Sequence, residues 1–239
     1  MTYYQPFYNL NTGRMQGVEA LARLRSTDGG PQTPAEFFAE AERTGTIRQI
    51  DAAILEEALA QTARWHRETG HSDLILSVNM SAQTVRDRLF VPVIVATVGR
   101  HNVPGDRLLF DLPTTTFRAM LDEGGDAFAG VTALQKREIT FCLDGFTAAD
   151  IDLLPRAVDI SVDIVKLHPS LASGDDAALV EAIQAVQDAG LPVVAAGIET
   201  AEQLARVREL GCEWAQGFYL GAPVVAADAL ENLATISGR

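Results

Sequence analysis

The stretch 18–25 carries side chains whose types and spacing could build a binding site. If it forms a β-strand, Glu19, Leu21 and Arg23 share one face, because alternate strand residues point the same way. Glu19 suits a cation, Leu21 suits a flat apolar ligand, and the guanidinium of Arg23 suits an anionic oxygen. The alternative is an edge strand with a solvated polar face, on which the glutamate and the arginine are incidental.

Polar side chains also end the later strand-like runs, and a barrel of parallel strands gathers its chemistry at such ends. Together with the first stretch they form one set: Glu19, Asn79, Asp111, Asp144, Lys166 and Gln216. The acids and the asparagine carry the oxygen atoms that a hard divalent cation such as Mg²⁺, Mn²⁺ or Ca²⁺ prefers. The sequence therefore predicts a metal and phosphate site where these strands end.

The asparagine and the two aspartates also have local alternatives, since Asp and Asn are common turn and cap residues. Asn79 would cap the helix near Ser81. Asp111 would cap a turn at Pro113, and Asp144 would cap the loop that follows it. Their coincidence at one end of successive strands favours a shared site over separate caps.

The elements that must hold these side chains are strands that alternate with helices. The chain opens with a hairpin, in which an extended aromatic run at 3–8 turns at 11–13 into the strand at 18–25. Further strands are predicted at 74–78, 107–112, 139–143, 164–167, 192–195 and 214–218. Apolar strands separated by helices indicate parallel strands covered on both faces. About eight strands in a single domain over 1–239 favour an α/β fold of the TIM-like (β/α)8 barrel type.

The helices are predicted from cap signals and from apolar residues at helical spacing. Thr33 and Pro34 indicate the N-cap and the first position of a helix that ends near Gly45. The remaining helices are predicted at 47–69, 91–100, 126–136, 175–189 and 201–210. Each of these helices lies between two predicted strands, as a barrel of this type requires.

The composition limits the partners and the compartment. The 239 residues carry 19 basic and 32 acidic side chains, and the net charge of -13 disfavours binding to nucleic acids and to anionic membrane surfaces. No apolar run approaches the length of a membrane span. Cys142 and Cys212 lie in apolar runs without metal-ligand spacing, so we expect reduced, buried thiols and a cytoplasmic location.

Several short motifs occur in order along the chain. They are Tyr4-Gln5-Pro6, Glu19-Ala20-Leu21-Ala22-Arg23, Pro34-Ala35-Glu36-Phe37, Ser77-Val78-Asn79-Met80-Ser81, Val165-Lys166-Leu167, Gly197-Ile198-Glu199-Thr200 and Ala215-Gln216-Gly217-Phe218. In these motifs the chain resembles the EAL domain family, the barrel phosphodiesterases and receptors for the bacterial second messenger cyclic di-GMP. The resemblance covers essentially the whole chain and implies a barrel whose early strand runs antiparallel.

The resemblance also implies roles for individual residues. Metal ligands are implied at Glu19, Asn79, Asp111 and Asp144. Contacts with the dinucleotide are implied at Gln5, Leu21, Arg23, Asp144 and Gln216. Lys166 matches the active-site lysine and is a remnant of the catalytic set, and Leu21 is expected to pack against a guanine or ribose face.

Two departures from the family remove groups that catalysis needs. Active members carry adjacent aspartates where this chain has Asp144 and Gly145, and a glycine offers no side-chain ligand. They also carry a glutamate, which serves the second metal and its water, where this chain has Ala196. Two-metal phosphodiester cleavage needs both ions and a group that orients or deprotonates the water. The second metal site is therefore predicted to be lost.

Smaller departures have the same direction. The family's Glu-Ile-Thr-Glu run begins here with the shorter Asp111 and ends with Thr114 in place of the second glutamate. His168 stands where the family has an aspartate, and a surface role is expected for it ahead of a ligand contact. Asp150 lies further along the loop and reaches the site only if the loop rearranges.

The sequence thus predicts a degenerate EAL domain that binds cyclic di-GMP without hydrolysing it and passes its occupancy to a protein partner. One divalent cation, Mg²⁺, Mn²⁺ or Ca²⁺, is expected at the first metal site. Two alternatives stay open: a weak metal-dependent phosphodiesterase that gives linear pGpG through a relocated carboxylate such as Asp150, and a protein-interaction module that binds no nucleotide. The family also leaves open a homodimer through the helices near the catalytic loop.

Overall fold

The computed structural model describes residues 1–25, 31–32, 34–124 and 126–229. The strands are β1 (Thr2–Asn9), β2 (Met15–Ala22), β3 (Leu24–Arg25), β4 (Pro31–Gln32), β5 (Ile75–Asn79), β6 (Leu108–Pro113), β7 (Thr140–Phe146), β8 (Ile164–Leu167), β9 (Val193–Ala195) and β10 (Trp214–Gln216). The α-helices are α1 (Pro34–Thr44), α2 (Ile47–Thr69), α3 (Ala82–Val85), α4 (Phe90–His101), α5 (Thr114–Glu123), α6 (Ala129–Gln135), α7 (Leu154–Asp159), α8 (Ser170–Ser173), α9 (Asp176–Asp188) and α10 (Ala201–Glu209). Short 3-10 helices precede β6 and follow β7, at Gly105–Arg107 and Ala148–Leu153.

The strands close into a barrel in the order β1, β10, β9, β8, β7, β6, β5, β2. Strand β1 runs antiparallel to both of its neighbours, whereas the other neighbouring pairs of the barrel are parallel. Strands β3 and β4 form a separate two-stranded sheet. The predicted TIM-like barrel with an antiparallel early strand is confirmed.

Apolar side chains cover both surfaces of the barrel wall. In β6 every residue except Pro113 is buried, as expected of a strand with apolar contacts on both faces. Helix α2 packs on the outside of the barrel, where the Trp65 ring meets Tyr4 of β1 edge-on with ring centroids 4.8 Å apart. The helix ends as predicted, because Gly70 adopts a left-handed conformation with φ of 74°.

Some elements differ from the sequence prediction. Helix α5 was not predicted, since it opens with threonines, whose β-branched side chains have low helix propensity. Strand β7 continues to Phe146, so Asp144 lies inside the strand and not after it. Strand β10 ends at Gln216, before the predicted end at 218. The next residue, Gly217, packs so closely on Ile198 that a Cβ there would lie 2.1 Å from the Ile198 carbonyl oxygen.

Other predictions concern single features. Helix α1 has the predicted bounds, but its predicted N-cap, Thr33, lies outside the described residues. Cys142 and Cys212 are free, buried thiols, as predicted. Within the described ranges, no helix combines the length and the apolar character needed to cross a bilayer.

Candidate functional site

The strands bring the predicted polar set together at one end of the barrel. In the parallel register Asn79 of β5 pairs with Asp111 of β6. Asp144 of β7 pairs in the same way with Lys166 of β8. Glu19 enters from β2, which is parallel to β5 and therefore presents the same strand end. The fold thus places acids, amide and amine within reach of one another.

The ammonium group of Lys166 lies at the centre of this cluster. Its Nζ donates to Asp111 Oδ2 at 2.7 Å and to Glu19 Oε2 at 3.3 Å. It also lies 3.4 Å from Asp144 Oδ1. Lys166 is 7% exposed and Asp111 is 0% exposed, so the charges face one another away from solvent. The carboxylates supply the compensation that a buried ammonium requires.

Two neutral donors on β5 complete the cluster. Asn79 Nδ2 donates to Glu19 Oε1 at 2.7 Å, and Ser77 Oγ donates to Asp111 Oδ2 at 2.7 Å. The two residues alternate along the strand and therefore share its inner face. Ser77 was not among the predicted site residues, and this alternation with Asn79 is the signal that could have found it.

The local capping alternatives are wrong. Ser81 is itself the N-cap of α3 and accepts a hydrogen bond from the backbone of Thr84, so Asn79 does not cap that helix. Helix α5 has no side-chain hydrogen bond at its N-cap. Thr147, and not Asp144, is the N-cap of the 3-10 helix in the following loop. The three side chains are free to take part in the cluster.

The contacts determine the charge of each member. Burial disfavours the Lys166 ammonium, but the surrounding carboxylates outweigh burial and hold the pKa of Lys166 well above its usual value. Burial raises the pKa of Asp111 and of Asp144, and Lys166 opposes that shift. Burial also opposes the ionisation of Glu19, yet Lys166 and the hydrogen bond from Asn79 lower its pKa overall. The lysine is a cation, and Glu19 is its most firmly ionised partner.

A cavity of about 380 Å³ lies at this end of the barrel. Its wall includes most of the predicted site residues: Gln5, Glu19, Leu21, Asp144, Lys166 and Gln216. Asp111 instead lines a second cavity, of about 40 Å³, whose wall it shares with Glu19 and Lys166 and with apolar residues of the barrel. Arg23 follows the end of β2, and its guanidinium lies 5.8 Å from the centre of the Tyr3 ring. Arg23 is therefore placed beside the cavity and not on its wall.

Gly145 and Ala196 form a part of the wall that has no polar side chain. Gly145 adopts φ of 77°, and a Cβ added there would have no neighbouring atom within 4 Å. Ala196 is buried and presents only a methyl group. The wall has space where the resembling family carries its second aspartate, and this chain leaves that space unfilled.

Asp150 and His168 have partners of their own. Asp150 Oδ2 accepts from Thr147 Oγ1 at 2.9 Å, and its Oδ1 accepts from Arg118 at 3.3 Å. Both carboxylate oxygens are therefore occupied in the loop. His168 is exposed, and its Nδ1 lies 2.7 Å from the Ser170 hydroxyl. Its ring lies on the cavity wall, so the expected surface role and contact with the cavity coincide.

Five wall residues were not singled out as site residues from the sequence. They are Pro169, Gly197, Glu199, Gly217 and Phe218. Phe218 is 66% exposed, which is unusual for a large aromatic side chain and leaves its ring at the cavity. Glu199 and Phe218 both belong to motifs of the resembling family, and that membership was the available signal.

The four predicted metal ligands contact one another or the Lys166 ammonium in this arrangement. The Lys166 ammonium donates hydrogen bonds to carboxylate oxygens of Glu19 and Asp111. Asn79 directs its amide nitrogen, and not its oxygen, towards Glu19. Asp111 is set back inside the barrel. In the part of the chain that the structure describes, no group of three or more His, Cys, Asp or Glu side chains is placed to hold a metal ion. The metal site at these residues stays a prediction, and the cation that contacts their carboxylates in this structure is the Lys166 ammonium.

Sequence comparison gives a match over nearly the whole chain. The model of the EAL domain family matches residues 1–223. The chain is 32% identical to the bifunctional diguanylate cyclase/cyclic di-GMP phosphodiesterase MucR of Pseudomonas aeruginosa, over 97% of this chain and 34% of MucR. It is 29% identical to the signaling protein YkoW of Bacillus subtilis, over 93% of this chain and 28% of YkoW. The chain spans about a third or less of the length of these curated relatives.

Solved structures share the barrel. The PaMucR phosphodiesterase in complex with c-di-GMP matches with a TM-score of 0.84 at 28% sequence identity, over 96% of this chain and 93% of that chain. The EAL enzyme Bd1971, in its cAMP and cyclic-di-GMP bound form, matches with a TM-score of 0.87 at 22% identity, over 98% of this chain and 64% of that chain. At that identity the second likeness concerns the fold alone.

Proposed function

The chain belongs to the EAL domain family, and from its site residues we propose that it is a degenerate member that binds cyclic di-GMP without hydrolysing it. It is related to cyclic di-GMP phosphodiesterases, of which MucR is one by name. One observation carries the proposal: a single cavity keeps Glu19, Leu21 and Lys166 on its wall, while Gly145 and Ala196 supply neither a metal ligand nor a base.

The retained residues suit a cyclic dinucleotide. Leu21 is half-buried on the wall and offers an apolar surface for a purine or a ribose. Lys166 offers a positive charge for a phosphate oxygen. Gln5 and Gln216 add amide groups on the same wall, and Arg23 lies beside it for a second anionic oxygen. Such contacts act on the bound substrate as well as on a transition state, so binding can persist without catalysis.

Hydrolysis is expected to be absent. EAL domains generally depend on divalent metal ions. The second ion lacks side-chain ligands at Gly145 and Ala196, and loss of a general base alone typically lowers a rate by about 10²- to 10⁴-fold. The weak-phosphodiesterase alternative needs Asp150 as a relocated carboxylate. Its two oxygens are already engaged by Thr147 and Arg118, which argues against that alternative.

A receptor of this kind acts by reporting its occupancy, so the proposal includes a protein partner. The identity of that partner, a homodimer and a single domain over 1–239 remain predictions. The family match covers 1–223, and the described residues extend to 229. The wall loops around His168 and Phe218 are the parts of the cavity that a partner could sense, since both residues are exposed.

The test is a calorimetric titration of cyclic di-GMP into the chain, followed by chromatography of a mixture incubated with Mn²⁺. We expect saturable one-to-one binding and no linear dinucleotide. Linear product that disappears in the Glu19→Ala variant would overturn the receptor proposal in favour of the weak phosphodiesterase. The absence of any binding would overturn both and leave the protein-interaction module.

A matched pair of leucines tests where the ligand binds. Leu21→Ala removes the apolar wall surface and should weaken binding by about tenfold, since burying a leucine side chain contributes roughly 1.5 kcal/mol or more. Leu89→Ala is the control, because Leu89 is 63% exposed and lines a different cavity, between α2 and α4. Equal affinities for the two variants would place the ligand elsewhere.

A further inference from the structure

The flank of the barrel carries a cavity of its own, apart from the candidate site. It is a groove of about 740 Å³, lined mainly by α6 and α7 and by the residues next to these helices. We call it the basic groove and define it by six lining residues: Asp126, Phe128, Lys136, Arg137, Arg156 and Ile160. None of these six lines the cavity at the end of the barrel.

The wall of the basic groove reverses the charge balance of the chain. It carries Lys136, Arg137 and Arg156 against Asp126, whereas the whole chain has 19 basic and 32 acidic side chains. Arg156 has a partner in Asp159, with Nη1 3.5 Å from Oδ2. Lys136 and Arg137 are exposed, and neither side chain forms an ion pair or a hydrogen bond with another residue that the structure describes. These two cations are available to an anionic group.

The floor of the basic groove is apolar. Phe128 and Ile160 are both buried. The guanidinium carbon of Arg156 lies 5.8 Å from the centroid of the Phe128 ring, and an aromatic face attracts a cation at that distance. Phe117 packs on the same ring, with centroids 5.1 Å apart. The groove therefore offers an apolar surface with cations beside it.

The two helix ends beside the groove are tied together. Gln135 of α6 donates a hydrogen bond from Nε2 to the carbonyl oxygen of Ser161, which follows α7. Glu138 and Ser161 adopt left-handed backbone conformations, with φ of 66° and 58°, and residues other than glycine keep such conformations where the surrounding structure holds them. Gly105 approaches Arg137 so closely that a Cβ there would lie 2.0 Å from the Arg137 carbonyl oxygen. The backbone beside the groove is thus fixed, and a ligand would not have to order it.

We propose that the basic groove is a docking site for an acidic segment of a partner protein. The carboxylates of that segment would pair with Lys136, Arg137 and Arg156, and one apolar side chain would pack against Phe128 and Ile160. An arginine pairs with a carboxylate through two parallel hydrogen bonds, and a lysine acts as a point charge. A cavity of this volume suits a ligand of the size of a short peptide.

The charge of the whole chain favours a short acidic segment over a long polyanion. A nucleic acid that extended beyond the groove would meet a surface with a net charge of -13, which repels it. A peptide with a few carboxylates stays within the groove and uses its apolar floor. The inference stands without the proposed function, because the groove and the nucleotide cavity are separate.

The test follows the amide chemical shifts of the isotope-labelled chain during a titration with a synthetic peptide. The probe is a blocked pentapeptide with one leucine between two pairs of glutamates. We expect saturable shifts within 126–137 and 156–160, and a dissociation constant that rises with salt. The same peptide with glutamines for its glutamates should not bind. Glycine in place of the leucine should weaken binding by about tenfold, because the apolar contact is lost.

Two double variants form a matched pair. Lys136→Gln/Arg137→Gln removes the two available cations and should weaken binding of the glutamate peptide by about tenfold, as expected for the loss of two exposed ion pairs. Arg14→Gln/Arg208→Gln removes the same charge from exposed positions outside the groove. It should leave the dissociation constant unchanged within about twofold, since exposed charges are screened over distance.

Three results would overturn the inference. The first is the absence of saturable shifts in the groove at millimolar peptide. The second is equal binding of the glutamate and glutamine peptides, or an equal loss in both double variants, because the charge of the groove would then not select the ligand. The third is tighter binding of hexathymidylate than of the peptide, which would make the groove a nucleic-acid site. The titration of cyclic di-GMP is a separate measurement, so the proposed function and this inference can fail independently.

Discussion

Two parts of the candidate site are built in contrasting ways. On β2, β5, β6 and β8, polar side chains contact one another, and Lys166 joins Glu19 to Asp111 at the centre. At the ends of β7 and β9, Gly145 and Ala196 offer only backbone and a methyl group. We refer to the first as the charged part, defined by Glu19, Ser77, Asn79, Asp111 and Lys166, and to the second as the open part.

The difference shows which side chains a site of this kind can lose and still bind a ligand. A residue of the charged part cannot be removed without leaving a buried charge or donor unpaired, so its change costs stability as well as function. The open part has no such contacts to lose. Catalytic groups can therefore be absent from the open part while the groups that meet a ligand remain in the charged part.

The largest effect is expected for Lys166→Met. Removal of the ammonium leaves Asp111 and Glu19 buried without their cation, and breaking a buried ion pair from one side costs about 3–5 kcal/mol. Urea unfolding in EDTA should show this loss in the free energy of unfolding. Lys136→Met, at an exposed position, should change it by less than about 0.5 kcal/mol. Equal stabilities for the two variants would mean that the charged part is not held by its lysine.

A smaller effect is expected for Ser77→Ala. The Ser77 hydroxyl donates to the buried Asp111 carboxylate, and a hydrogen bond to a charged group contributes roughly 1.5–3 kcal/mol. Ser170→Ala is the matched control, because the Ser170 hydroxyl contacts the exposed His168 instead. Thermal or urea unfolding measures both. If Ser77→Ala were as mild as Ser170→Ala, the neutral donors of β5 would be incidental to the charged part.

The sequence predicted which strands meet, but not how Lys166 contacts the acids that they carry. Apolar runs alternating with helical patterns identify the barrel, and strand ends identify Glu19, Asn79 and Asp144. In the sequence alone, a set of acids with an amide is compatible with a metal ion and with an ammonium group. Which atoms meet depends on how far the Lys166 and Asp111 side chains reach. Residue spacing along the chain does not give those distances.

Other differences have local causes. Arg23 was predicted to share a strand face with Leu21, but β2 ends at Ala22, and the Arg23 guanidinium lies over the Tyr3 ring. Helix α5 escaped prediction because its threonines favour strands by local propensity, while its stability comes from burying Phe117 against the rest of the fold. Tertiary packing determines the position of Arg23 and the formation of α5. A short stretch of sequence does not show which residues pack together in the fold.

The smallest effect is expected in the open part, for Gly145→Ala. A Cβ at Gly145 meets no atom within 4 Å, so no steric cost arises, and only φ of 77° opposes the change, at about 1–2 kcal/mol. Gly145→Asn should cost less, because asparagine tolerates this backbone conformation. Gly99→Ala has equally free space but lies in helix α4, and it should stabilise the chain by roughly 0.5–1 kcal/mol. Urea unfolding measures the change in unfolding free energy for both variants. Because an added Cβ meets no atom within 4 Å at either glycine, opposite signs of the two changes report the backbone conformation alone. A loss at Gly145→Ala as large as that at Lys166→Met would mean that the open part is constrained by contacts after all, and the contrast between the two parts would fail.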